Sequence, residues 1–563
     1  GGGGGGGAPP PPRLRRLDES ASIIVLDKGP DPSFANCGMP YYIGGEIADR
    51  HKLNVQTPAS LKARLNLDVR VRTEVLSIDP AAKTVRAKNL VTGEEYTESY
   101  DALTLSMGAK PFAPPIPGID RAGNFALRNL EDMDRIKAAV SAQGAKTAVV
   151  AGGGFIGIEM AEQLRHLGMT VAIVEALPQL MAPFDPEMAS LLTRELEAQG
   201  VAVHLNAPIK AFQPRSDGAA QGSDVVLSET SKLPADVIIL GLGVRADTAL
   251  AKSAGVALNA RGGIVVNPHM RTSDESIWAV GDAVEVRNPV LGGEWMVALA
   301  GPAARQGRTA ADNMAGFKKD REYAGTIGSS AVRVFGLTAA GTGQNERGLQ
   351  MAKKAYAAVH LHPNNHAGYF PGASAIALKV LFSTEAGVDE GRVLGAQAVG
   401  RDGADKAIDA IAVAVTARMT VHDLADLELC YAPPVGSAKS PVNYAGMIAQ
   451  DMLEGLVETV QWHEYDALAD DEAHVQLVDV RGVAEIERNG AIHPRAMCLP
   501  LDEIRSRLGE LPRDKTLVVN CHAGQRGYYA CRVLSQEGFK VKNLDGGFTT
   551  YMGSPLAKRP HKA

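Results

Sequence analysis

Thr147-Ala-Val-Val-Ala-Gly-Gly-Gly-Phe-Ile-Gly157 decides the fold of this chain. Four apolar residues run into three glycines, and the stretch then opens an amphipathic helix that reaches Leu167. Thr170-Val-Ala-Ile-Val174 follows as a second strand and ends at Glu175. Strand, glycine turn, helix and strand in this order fit a dinucleotide fingerprint at Gly152, Gly154 and Gly157. The first glycine permits a tight turn. The second lets backbone approach a pyrophosphate at the helix N-terminus, and the third lets helix and strand pack closely. A carboxylate at Glu175 can accept hydrogen bonds from a ribose 2′-hydroxyl and would repel a 2′-phosphate, so NADH is favoured over NADPH.

Upstream lies the remnant of a second unit of the same kind. The strand-like Ser22–Leu26 ends at Asp27, as the later strand ends at Glu175. Arg13–Leu17 reads as the last turns of a helix before it. A low-complexity tail of seven glycines, an alanine and four prolines stands where a strand and glycine fingerprint belong. Such a segment is expected neither to pack a core nor to hold a helix. Thr73 to Lys88 reads as a hairpin and Tyr100–Ser106 as a buried strand. Pro111–Gly118 is a proline-rich boundary.

After Asp27 comes Ser33-Phe-Ala-Asn-Cys-Gly-Met-Pro-Tyr-Tyr42, with a lone cysteine, Cys37. The nearest other cysteine in sequence is Cys430. A sulfur partner for Cys37 must therefore come from outside the chain: a thiol, a sulfane sulfur or an oxygen. A helix start after Phe34 is expected to depress the thiol pKa, as helix N-termini can.

Length and composition bound the rest. At 563 residues, three or four domains are expected. A net charge of -6 gives no reason to expect nucleic acid. Five scattered cysteines fit reactive thiols in a reducing, cytoplasmic compartment, and no pair has metal-ligand spacing, so no metal is expected. No apolar run reaches the ~18 residues of a membrane span.

The motifs together resemble the single-cysteine flavin reductases of the pyridine nucleotide-disulfide class. The Asn36 before Cys37 and the Pro-Tyr-Tyr after it look most like the coenzyme A disulfide reductases. Ser106-Met-Gly108 resembles an Ala-Thr-Gly turn, and Ala279-Val-Gly-Asp282 a Gly-Asp flavin motif. Gly301–Gly307 and Tyr431-Ala-Pro-Pro resemble further segments, over roughly Arg13 to Met452. The resemblance implies an α/β fold with two interleaved Rossmann-like dinucleotide-binding domains and an α+β dimerisation domain. FAD and NAD(P)H are the implied cofactors, coenzyme A a substrate, and a homodimer the assembly. It puts cofactor contacts at Asp27, Lys28, Ser106, Gly108, Gly243, Gly281, Asp282 and Ala300, and substrate contacts at Ser33 and Asn36. Tyr431, and Tyr369 of Gly368-Tyr-Phe-Pro-Gly372, are the implied acids for a departing thiolate. Arg13, Arg15 and Arg16 are candidates for phosphate groups.

The C-terminal part has its own pattern. Val475–Arg481 and Thr516–Cys521 are strand-like, and the second runs into the loop Cys521-His-Ala-Gly-Gln-Arg526 and a helix. With Asp545-Gly-Gly-Phe548, this resembles a rhodanese domain. Backbone N–H groups and Arg526 would cradle a Cys521 persulfide. His522 could hydrogen-bond the substrate, and Cys498 and Cys531 read as bystanders. The expected layout is a tail (1–12), a flavin domain in two parts (13–115, 245–324) and an NAD(P)H domain (116–244). A dimerisation domain (325–450), a helical linker (451–471) and the rhodanese domain (472–563) follow. Two rivals stay open: an NADH oxidase or peroxidase cycling Cys37 through a sulfenic acid, and a flavin-free sulfur carrier working through Cys521.

Overall fold

The computed structural model describes residues 10–219, 222–317 and 321–557. It divides into two compact units, one of residues 1–178 and 199–328, the other of residues 179–198 and 329–563.

The first unit is organised around a parallel sheet of Asn124–Phe125, Val237–Leu240, Thr147–Ala151, Thr170–Val174 and Ala202–His204, in that spatial order. Its middle strands are nearly continuous apolar runs because both faces are buried. Asp236 fixes their register by accepting the N–H groups of Lys146 and Thr147, each at 2.9 Å. The flavin-type half is different. Ile24–Leu26 pairs in parallel with Asp68–Arg70, and Leu103–Leu105 with Ile277–Ala279, as two separate two-stranded sheets among the described residues. The Thr73–Asp79 and Thr84–Asn89 strands form the expected hairpin.

In the second unit, five antiparallel strands are ordered Ser330–Val334, Leu337–Gly343, Val393–Gly400, Ile376–Ser383 and Tyr356–Leu361. A second, all-parallel sheet runs Thr459–Val460, Val541–Leu544, Thr516–Asn520, Val475–Asp479 and Met497–Cys498. The helix Pro186–Ala198 also belongs to this unit, although the sequence layout put it with the nucleotide domain.

Two expectations need correcting. Pro10–Pro12 are helical, forming the first turn of Pro10–Leu17, where a proline's missing N–H has no intrahelical acceptor to lose. Residues 1–9 of the tail lie outside the described residues. The segment 451–471 is not one helical linker. Pro441–Leu453 ends inside it, Thr459–Val460 joins the parallel sheet beside Val541–Leu544, and the Tyr465 ring is buried.

Candidate functional site

The fingerprint glycines behave as their spacing requires. Gly152 has φ +108°, and a Cβ there would lie 2.2 Å from the Gly241 carbonyl oxygen; one on Gly157 would lie 2.0 Å from the Gly152 oxygen. Gly154 instead faces open space at the start of the helix Phe155–His166, which has no side-chain cap. Two glycines are thus demanded by backbone packing, and the third leaves room for a ligand at free helical N–H groups. Glu175 is half-buried at the strand end, accepting the N–H of Gly153 and of Leu177 at 2.8 Å each. Gly243 lies on the adjoining turn with φ +95°.

Asp27 repeats the Glu175 arrangement, its Oδ1 accepting the N–H of Gly29 at 2.8 Å. Lys28 is paired with Glu74 at 2.7 Å on the surface. Gly108 and Gly281 have left-handed backbone, φ +69° and +87°. The Gly281 N–H is held by Gln306 Oε1 at 2.7 Å. Burial alone, with no cation contributing, raises the pKa of the Asp282 carboxyl. The helix from Ala300 to Met314 starts with no side-chain cap, which leaves its first N–H groups open. A desolvated carboxylate beside open helical N–H groups fits the polyol and phosphates of a flavin dinucleotide. Ser106 lies just beyond the strand Leu103–Leu105.

Cys37 sits in a 3-10 turn, Asn36–Gly38, that leads into a helix of only six residues, Met39–Gly44. It is exposed. Asn36 Oδ1 lies 3.0 Å from the Cys37 backbone nitrogen and 3.6 Å from its Sγ. Ser33 is on a short strand paired with Asn54–Gln56. The expected depression of the thiol pKa is not found. Desolvation raises it, and the negative charges of Glu159 and Asp282 add to the rise. A six-residue helix has too little dipole to oppose them. The charge of Asp282 acts on Cys37 although its motif lies far along the chain. Glu159, which accepts a hydrogen bond from the Tyr41 hydroxyl at 3.3 Å, was not found by sequence reasoning. The signal available was a carboxylate two residues past Gly157, one turn before Glu162 and Gln163 on the same helix.

In the second unit, Cys521 is buried at the end of Thr516–Asn520, and its Sγ accepts the N–H of Gly524 at 3.1 Å. The helix Gln525–Gln536 starts at that loop, also uncapped by a side chain. Arg526 forks onto Glu485, with both N–H···O distances 2.8 Å, a pairing the sequence did not reveal. His522 is half-exposed, stacks on Phe548 and lies 3.7 Å from Glu485. Cys531 is buried, and desolvation drives its pKa well above the ordinary thiol range; Cys498 moves the same way.

Tyr369 and Tyr431, far apart in sequence, bring their exposed hydroxyls within 3.4 Å. The hydrogen bond raises the Tyr369 pKa. Of the arginines, Arg13 is bound to the buried Asp312 at 2.7 Å. Arg15 is buried and satisfies the carbonyls of Leu65 and Glu19 at 2.9 and 2.7 Å. Their partners give both a structural explanation, and Arg16 is the exposed one. Among the described residues, no helix is long and apolar enough to cross a membrane.

Three family models match the chain: pyridine nucleotide-disulphide oxidoreductase over residues 2–307, the dimerisation domain of the same family over 329–440, and a rhodanese-like domain over 461–554. Among solved structures, the reduced Bacillus anthracis CoADR-RHD is 46% identical with a TM-score of 0.93, covering 98% of this chain and 97% of that one. An NAD-dependent persulfide reductase from A. fulgidus is 35% identical with a TM-score of 0.88, covering 96% and 97%. Among curated relatives, an NADH oxidase of Methanocaldococcus jannaschii is 32% identical over 79% of this chain and 95% of its own length. A coenzyme A disulfide reductase of Staphylococcus epidermidis is 32% identical over 78% and 96%. Such matches imply FAD and NAD(P)H as cofactors, and the chain belongs to the pyridine nucleotide-disulphide oxidoreductase family.

Proposed function

We propose that the chain reduces coenzyme A disulfide or coenzyme A persulfide with NAD(P)H, and that its rhodanese domain supplies the sulfane sulfur. One observation carries this reading. Cys37 is exposed and is the sole cysteine of its unit, since Cys430, Cys498, Cys521 and Cys531 all belong to the other. With no second thiol beside it, Cys37 needs a sulfur partner brought by the substrate.

In the proposed chemistry the Cys37 thiolate attacks the CoA-side sulfur, forming Cys37–S–S–CoA and expelling the other half as a thiolate. That product is CoA from the disulfide and sulfide from the persulfide. Two electrons from NAD(P)H and one proton then release CoA and restore the cysteine. FAD, when bound, supplies the two-electron relay between nicotinamide and sulfur; Asp27, Gly281, Asp282 and the N-terminus at Ala300 would hold it. Lys28, Ser106 and Gly108 are proposed to lie along it. Gly152, Gly154, Gly157, Glu175 and Gly243 would hold the nicotinamide dinucleotide. Ser33, Asn36 and Arg16 are proposed substrate contacts. In the homodimer that a dimerisation domain supports, Tyr431 and Tyr369 of one protomer would protonate the thiolate leaving Cys37 of the other.

The Glu175 carboxylate supports NADH as the preferred donor. Exchange for neutral glutamine relieves repulsion of a 2′-phosphate. The Glu175→Gln protein should gain about tenfold in its NADPH-to-NADH ratio of kcat/KM, the ratio that about 1.4 kcal/mol represents. An unchanged ratio removes Glu175 from the choice.

The rhodanese step is tested by sulfide release from glutathione persulfide, NADH and CoA. Cys521 should take the outer sulfur, leaving glutathione, and pass it to the CoA thiolate. Cys521→Ala should lose at least about a hundredfold in this coupled rate, given the cost of deleting a nucleophile, while reducing CoA disulfide normally. Equal coupled rates would remove Cys521 from the route. Consumption of peroxide or oxygen without CoA would instead favour the oxidase reading. Purified protein without visible flavin absorbance would favour the flavin-free carrier.

A further inference from the structure

The segment Asp545–Thr550, a turn that opens the helix Gly547–Gly553, is bonded on two sides at once. On one side, the N–H of Phe548 donates to the Cys521 carbonyl and the N–H of Thr549 to the His522 carbonyl, each at 2.8 Å. The Thr549 hydroxyl donates to the same His522 oxygen at 2.9 Å. Gly547 presses against this loop, and a Cβ there would lie 2.6 Å from the Cys521 oxygen and 2.8 Å from the Gly524 nitrogen.

On its other side the turn is held by the strand Tyr356–Leu361 and the residue just beyond it. Asp545 Oδ2 accepts the His360 backbone N–H at 2.9 Å and lies 2.7 Å from His360 Nδ1. Gln461 adds a donor to the same oxygen at 3.1 Å. His362 Nε2 lies 2.7 Å from Thr550 Oγ1. His360 and His362 are two apart, so they share a face of the chain where it is extended. Behind them, His360 Nε2 meets Glu187 Oε1 at 3.0 Å.

We propose that His360 and His362 are positioning residues for the Cys521 loop: through Asp545 and Thr550 they fix the turn that holds the loop's carbonyls. The antiparallel sheet thereby sets the geometry of the sulfur-carrying cysteine on the parallel one. The physical reason lies in the peptide unit. A trans peptide points its C=O and N–H in opposite directions. Anchoring the carbonyls of Cys521 and His522 thus fixes where the N–H groups of His522 and Ala523 point. An anion cradle works only when its donors are aimed in advance. If the turn loosens, the loop keeps its cysteine and loses donor alignment when negative charge develops on sulfur.

The inference rests on Cys521 as the sulfur carrier. Two full-length variants test it, each beside its parent and Cys521→Ala: His360→Gln, which keeps one amide donor, and Thr550→Val, which removes only a hydroxyl and is nearly isosteric. Sulfur transfer from glutathione persulfide to cyanide is measured, together with the rate of Cys521 alkylation by iodoacetamide, mapped by peptide mass. Both variants should lose at least about tenfold in kcat with KM within about twofold, and Cys521 should alkylate more slowly. NADH-dependent reduction of CoA disulfide should match the parent. A histidine that merely stabilised the fold would change the amount of active protein and not the alkylation rate of its folded fraction. Parent-like kcat and alkylation in folded Thr550→Val protein would overturn the proposal, even where His360→Gln does not fold. A parent that loads no sulfur on Cys521 would overturn the carrier reading, and this inference with it.

Discussion

The Cys37→Ser protein will lose NAD(P)H-dependent reduction of CoA disulfide by about 10⁴-fold or more, the scale on which deleting a catalytic nucleophile acts. Serine fills nearly the same space, so the Asn36–Gly38 turn and the packing of Met39 and Ile43 are retained. What it removes is the capacity to form a mixed disulfide. Within the first unit no other thiol can substitute, because the other four cysteines belong to the second unit. The loss should fall on kcat, since proposed CoA contacts at Ser33, Asn36 and Arg16 remain. Nicotinamide binding should be unaffected, because Gly152, Gly154, Gly157 and Glu175 are untouched. Sulfur transfer at Cys521 should also persist. Turnover of CoA disulfide at the parent rate would end the reading of Cys37 as the redox sulfur, and with it the proposed reductase.

Sequence made some of this readable and hid the rest for a physical reason. The nucleotide fingerprint was legible because its constraints are local. Gly157 meets the Gly152 carbonyl within a few residues and Glu175 closes the same unit, whereas the contact of Gly152 with Gly241 comes from just beyond a strand much later in the chain. The Cys521 loop was legible because its parts are adjacent in sequence, since an apolar strand, the short loop Cys521–Gly524 and a helix follow one another directly. Charge partners across the fold left no periodic trace. Arg13 read as a free phosphate ligand because Asp312 lies 299 residues away. Desolvation, and then the charges of Glu159 and Asp282 from other segments, raise the Cys37 pKa, so the short helix alone seemed to favour a thiolate. The strand Thr459–Val460 is two residues long and exists by pairing with Val541–Leu544, so 451–471 read as a helical connector. A short edge strand has little pattern of its own.

Lys379→Met should destabilise the second unit by about 3–5 kcal/mol, the cost of stripping one partner from a buried ion pair. The Lys379 side chain is wholly buried in the interior strand Ile376–Ser383. Its ammonium lies 2.5 Å from Glu187 Oε1 and 2.9 Å from Asp185 Oδ2, and is also bonded to Glu346. Burial alone would lower its pKa; the three carboxylates overcome that and raise it. Methionine fills the volume without the charge, leaving Asp185, Glu187 and Glu346 in mutual repulsion. Hydrogen exchange of Ile376–Ser383 and Val541–Leu544 in urea reads the loss locally. The deficit should shrink toward about pH 5, where carboxylates freed of their cation take up protons. Lys379→Met combined with Glu187→Gln should recover at least about 1 kcal/mol, because the two sites are in contact and their effects do not add. The unaltered protein has its own pH signature. Desolvation would lower the His360 pKa, but hydrogen bonds to Asp545 and Glu187 raise it from 6.5 to about 9. A raised folded-state pKa means that its stabilisation is complete below 6.5 and is lost as the pH rises through about 9. Exchange protection of Val541–Leu544 that stays constant across that interval would show that His360 carries no net charge in the fold. Parent-like stability in Lys379→Met would show that the three carboxylates need no cation beyond His360.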